Sequence, residues 1–164
     1  MSQPLAYFLT RTCHGTWLHG DERGSVDRER NVPETPFIQP QRGFEAHEQS
    51  RSTQSPVRLT SEQRSVVQAT IEAHCAYQTW DLFALNVRTN HVHVVVSCGD
   101  AQPEIVMGQF KSWCTRRLRE ADLINKDARI WTRHGSTKYL WKPPGVEAAI
   151  RYVNEEQGRN LDEA

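Results

Sequence analysis

The chain has 164 residues, 37% hydrophobic and 24% charged, with twenty basic and twenty acidic side chains that cancel to zero net charge. A mean hydropathy of −0.69, and no run near the ~18 apolar residues of a membrane helix, exclude a helical membrane protein. Five Trp, five Phe and four Tyr supply a core, which excludes a collagen-like fibre and a wholly disordered chain.

Residues 5–18 (LAYFLTRTCHGTWL) are rich in aromatic and β-branched side chains and predict a first strand. Residues 19–56 hold four prolines, with Gly20, Gly24 and Gly43, and sustain no apolar period. They predict a long polar insertion within one domain spanning 1–164. Thr60 followed by Gln63 fits a capping box. Val67, Ile71 and Cys75 then recur at i+4, predicting an amphipathic helix over about 60–78. WDLFALNVRT (80–89) and HVHVVVSC (91–98) read as two strands joined at Thr89-Asn90. The second is apolar at nearly every position except His91 and His93, as a central strand would be.

Pro103 suits the first turn of a helix, with Met107, Phe110, Cys114 and Leu118 as its apolar stripe. RIWTRH (129–134) and TKYLWK (137–142) flank Gly135-Ser136 as a further hairpin, ended by Pro143-Pro144. A last helix is predicted over about 145–158, stopping at Gly158. The order β, insertion, α, β, β, α, β-hairpin, α predicts an α+β ferredoxin-like sandwich, one antiparallel sheet with helices on one face.

Cys13, Cys75, Cys98 and Cys114 form no CxxC pair, so no Cys-rich zinc module is expected. They predict small buried residues in a reducing cytosol. The N-terminus lacks the basic start and apolar stretch of a secretory signal. Charge is uneven: residues 1–107 carry a net −3, 108–159 a net +5 and the last five residues −2. A basic face in the second half could meet phosphates even though the whole chain is neutral.

The chemistry centres on His91-Val92-His93. On a strand, i and i+2 share a face, so two imidazoles stand side by side within reach of one divalent ion. The bland alternative is two ordinary histidines on a solvated sheet face. On the last helix, Val146, Ala149, Ile150 and Val153 form the core stripe. Tyr152 lies about 160° from Ile150, and Glu156 about 40° from Tyr152. An exposed Tyr beside a carboxylate suits a nucleophile next to a metal ligand; a surface Tyr packed against the sheet is the alternative. Gln157 is a rival ligand, about 140° from Tyr152 in an ideal helix.

NHVHVVVS (90–97) resembles the His-hydrophobic-His motif of HUH nucleases, and IRYVNEEQ (150–157) resembles the tyrosine helix of their single-tyrosine transposases. These are the small insertion-sequence transposases and the REP-associated tyrosine transposases. The resemblance covers about residues 5–18 and 58–158, not 19–56. It implies a metal-dependent single-stranded DNA endonuclease and strand transferase, with Tyr152 as nucleophile forming a 5′-phosphotyrosine. His91, His93 and Glu156 would be ligands of Mg²⁺ or Mn²⁺. The family more often has Gln or Asn at the third ligand, so Glu156 is a departure, though a carboxylate is a good hard ligand. The implied partner is single-stranded DNA with hairpins or palindromes, in a bacterial cytoplasm and at the nucleoid when DNA-bound; a homodimer is compatible and no membrane is involved.

Arg11, Lys111, Arg116, Arg117, Arg133 and Lys138 are candidates for tracking the DNA backbone, and Trp113, Trp131, Tyr139 and Trp141 for stacking bases. Trp131 and Trp141 read better as core, and the other five histidines as structural or surface groups. A second reading is a domesticated relative that binds DNA hairpins without cutting. Zero net charge and Glu156 favour it; intact His91, His93 and Tyr152 disfavour it. An RNA-binding ferredoxin-like domain would want exposed aromatics on its central strands, where this chain has histidines.

Overall fold

A computed structural model describes residues 3–15 and 56–155. The predicted insertion therefore lies outside the described residues except at Pro56, as do Glu156, Gln157 and Gly158. The elements are β1 (Ala6–Cys13), α1 (Ser61–Gln78), β2 (Asp81–Val87), β3 (His91–Ser97), α2 (Pro103–Glu120), β4 (Trp131–Leu140) and α3 (Pro143–Glu155). The strands form one antiparallel sheet in the order β2-β3-β1-β4, the arrangement expected of a ferredoxin-like sandwich. No helix among the described residues is long and apolar enough to cross a membrane.

Strand alternation divides the side chains between two cores. Tyr7, Leu9 and Cys13 of β1 and Val92, Val94 and Val96 of β3 face the main core. There they meet Val67, Ile71 and Cys75 of α1 and Val106, Phe110, Cys114 and Leu118 of α2. The opposite face is smaller: Ala6, Ala84, Val95 and Leu140 pack against Ala149 and Val153 of α3, with Phe8, Val146 and Ile150 at the margin. The two sandwich helices thus lie on one face, as expected, and α3 covers part of the other.

The α1 start follows the sequence closely. Gln63 N–H donates to Thr60 Oγ1 at 3.1 Å, and Thr60 N–H to Gln63 Oε1 at 2.8 Å. The β2–β3 hairpin also forms, with Arg88 N–H donating to the His91 carbonyl at 2.8 Å. The hairpin expected at Gly135-Ser136 does not. Residues 131–140 are one strand, with Gly135 opposite Arg11. A Cβ at Gly135 would lie 2.7 Å from the Thr10 carbonyl oxygen, so the glycine serves a close backbone approach rather than a turn. Pro143 and Pro144 likewise open α3 instead of only ending a strand, since proline's fixed φ and missing N–H are tolerated in a first turn.

Candidate active site

With Val92, Val94 and Val96 taken by the main core, His91 and His93 stand on the α3 face of β3. Their ring centroids are 4.6 Å apart. Each Nδ1 is engaged. His91 Nδ1–H donates to Asn90 Oδ1 at 2.7 Å, and His93 Nδ1 shares a hydrogen bond with Thr10 Oγ1 at 2.9 Å. Because Asn90 Oδ1 only accepts, the His91 Nδ1 carries the hydrogen of that bond. His93 is only 8% exposed. Burial first, then the neighbouring His91 and the Arg88 charge, hold its pKa down to about 3, so the ring is neutral near pH 7, as a ligand must be.

Two imidazoles on one face, their orientations fixed through Nδ1, suit a divalent ion bound through Nε2. His91 and His93 are the residues that could hold it. Among the described residues no group of three His, Cys, Asp or Glu side chains converges, and the third candidate ligand, Glu156, lies outside them with its rival Gln157.

Ala149 and Val153 bury the core side of α3, and Tyr152 is left 41% exposed. Its ring centroid is 5.8 Å from that of His93 and 5.8 Å from that of Phe8, while Phe8 and His93 are 5.4 Å apart. Tyr152 therefore packs over the sheet and also reaches solvent beside the imidazoles. A phenol, two nitrogen donors and an open side make a site where a phosphate could be attacked.

The candidate cations do not gather there. Lys138 is opposite Phe8 in the β1–β4 register, so by alternation it shares the imidazole face. Arg11 lies on the other face. Its Nη1 donates to the Arg133 carbonyl at 3.5 Å, and its buried Nε has no partner among the described residues. Lys111 is nearby, its pKa lowered by burial and then by the charges of Arg11, Arg129 and Arg133. Arg116 and Arg117 cover the Trp113 ring at 5.1 and 5.4 Å and pair with Glu120 at 3.2 and 2.8 Å. Trp131 is core, as expected, and its Nε1–H donates to Thr115 Oγ1. Trp141 is not: it lies one residue past the end of β4 and is 51% exposed, near Tyr139 at 6.1 Å. His74 is structural, hydrogen-bonded to Gln109.

Thr10, Asn90 and Arg88 around the imidazoles were not singled out by sequence reasoning. Asn90 abuts the motif, and Thr10 and Thr12 alternate with Leu9, Arg11 and Cys13 along β1. Only the β1–β3 register, which pairs Thr10 with His93, connects that alternation to the site.

A family model described as "Transposase IS200 like" matches residues 51–154, well over half of the chain. No curated protein matches the sequence. Among solved structures, a REP-associated tyrosine transposase bound to a REP hairpin is similar at a TM-score of 0.53 and 12% identity. That match covers 93% of this chain and 66% of the other, so the chain spans just under two thirds of that protein. A candidate transposase from Deinococcus radiodurans R1 is similar at a TM-score of 0.50 and 12% identity, over 97% of this chain and 95% of the other.

Proposed function

Because the chain belongs to the IS200-like transposase family, we propose that it cuts and rejoins single-stranded DNA through a 5′-phosphotyrosine on Tyr152, aided by a divalent ion. The observation that carries this reading is the convergence, within one chain, of the exposed Tyr152 phenol and the imidazole pair on one sheet face.

The chemistry follows from the difficulty of attacking an anion. Mg²⁺ or Mn²⁺, held by His91 and His93 with Glu156 as third ligand, would neutralise charge on a non-bridging phosphate oxygen. Tyr152 Oη attacks phosphorus, loses its proton and forms the new P–O bond. The bond from phosphorus to the 3′ oxygen breaks, and that oxygen takes up a proton as a 3′-OH. No high-energy cofactor is needed, because the 3′-OH of another strand can displace the tyrosine. A phenol with a pKa of about 10 leaves more readily than an alkoxide. Asn90 and Thr10 keep the rings oriented, and Phe8 gives the phenol an apolar floor.

The fold relative that binds a REP hairpin supports a DNA hairpin as partner here, and such a reaction belongs with DNA in the cytoplasm. The test is covalent capture. Full-length protein with Mn²⁺ and a labelled single-stranded hairpin should give an SDS-stable adduct. Tyr152→Phe should abolish it, and EDTA or His91→Ala should reduce it by ~10²-fold or more. Hairpin binding without any adduct would mark a non-cleaving hairpin binder instead.

A further inference from the structure

A directed bond ties the helix that carries Tyr152 to the strand beside the imidazoles. Asn86 of β2 is the cross-strand partner of His93. Its side-chain Nδ2–H donates to the carbonyl oxygen of Val153 at 3.0 Å, one residue from Tyr152. Most of the remaining α3 seat is apolar: Ala84, Val95 and Leu140 meet Ala149 and Val153, with Phe8, Val146 and Ile150 at the margin. Apolar contact is non-directional as a driving force and restrains a helix's axial position through shape alone. A hydrogen bond adds direction, because it weakens steeply as it lengthens and bends.

We propose that Asn86 is a positioning residue that sets the reach of Tyr152 toward the imidazole pair, an inference that rests on Tyr152 being the nucleophile. The bond joins the backbone next to the phenol to the strand position next to His93, so one amide indexes both halves of the site to each other. In-line attack requires reacting atoms about 3–3.5 Å apart, and an error of about 1 Å can cost ~10²-fold in rate. Without the amide, α3 would keep its apolar seat but slide or rotate on it.

Asn86→Leu removes the donor while keeping the same branched, four-atom side-chain skeleton, and Asn86→Ser serves if the leucine variant does not fold. With Mn²⁺ and saturating hairpin DNA, adduct formation should slow by about tenfold or more, with hairpin affinity held within about twofold. Independently of activity, amide exchange over residues 146–153 should quicken by about tenfold, while β1 and β3 exchange as in wild type. Wild-type adduct rate together with wild-type α3 exchange would overturn the proposal. So would exchange that quickens equally throughout the sheet, which is what a merely structural residue produces. If the wild-type protein forms no adduct, the nucleophile reading fails, and the exchange data still decide whether Asn86 fixes α3.

Discussion

Four thiols show how far burial alone changes an ionisable side chain. Cys13 and Cys114 are pushed up to about 12, and Cys75 and Cys98 to about 11, in each case chiefly by desolvation. An unfolded chain would release these protons near pH 9, whereas the native protein keeps them. Their stabilising effect is therefore fully present below pH 9 and is lost as pH rises toward 11–12, with a slope of up to about 1.4 kcal/mol per pH unit for each thiol. Denaturant unfolding at pH 8 and pH 10 should show the loss, and Cys114→Ala should make it shallower; an unchanged slope would contradict the assignment. The sequence foretold the burial of these thiols, since none is paired and Cys75 and Cys114 fall on apolar helical stripes. It likewise foretold a shared face for His91 and His93 and an outward Tyr152, because these follow from periods of two and 3.6 residues. Thr10 and Asn86 escaped because their roles depend on strand register, which no local period encodes.

At the scale of elements, β4 is the most instructive. Gly135-Ser136 has turn-like composition, yet the strand runs straight through it under the pressure of pairing with β1 along its length. The register between Arg11 and Cys13 shifts close by, an irregularity that composition does not reveal. Gly135→Ala would drive a methyl group against the Thr10 carbonyl. It should destabilise the protein by about 1–3 kcal/mol, read as a lower denaturant midpoint; an unaltered midpoint would show that the backbone yields freely there. The helices were more legible. The α1 box at Thr60 and Gln63 and the α2 stripe depend on neighbours three or four positions away, all within one element. The start of α3 was harder to place, because Pro143-Pro144 is compatible with both ending a strand and opening a helix.

At the scale of the whole molecule, the described residues present two unlike faces of one sheet. One is the α1–α2 layer over the main core. The other carries α3, the imidazoles, Phe8 and Lys138. Of the six candidate DNA-contacting cations, Lys138 shares the imidazole face by register, while Arg116 is paired with Glu120 on the helical layer. Lys138→Ala should therefore lower the salt slope of single-strand binding by about 0.7, and Arg116→Ala should leave it unchanged. Anisotropy titrations over a series of KCl concentrations would show this, and equal slopes for both variants would contradict the division of faces. The parts of the proposed reaction share the second face but come to it on different elements. Both Nδ1 atoms are braced by the sheet and its β2–β3 turn, through Thr10 and Asn90, whereas the phenol arrives on α3. A cation held as proposed would draw two ligands from the sheet and its third, Glu156, from the stretch that follows the phenol in sequence, so loading and arming would be coupled. Loosening that segment should weaken the hold on the ion as well as blunt the strike.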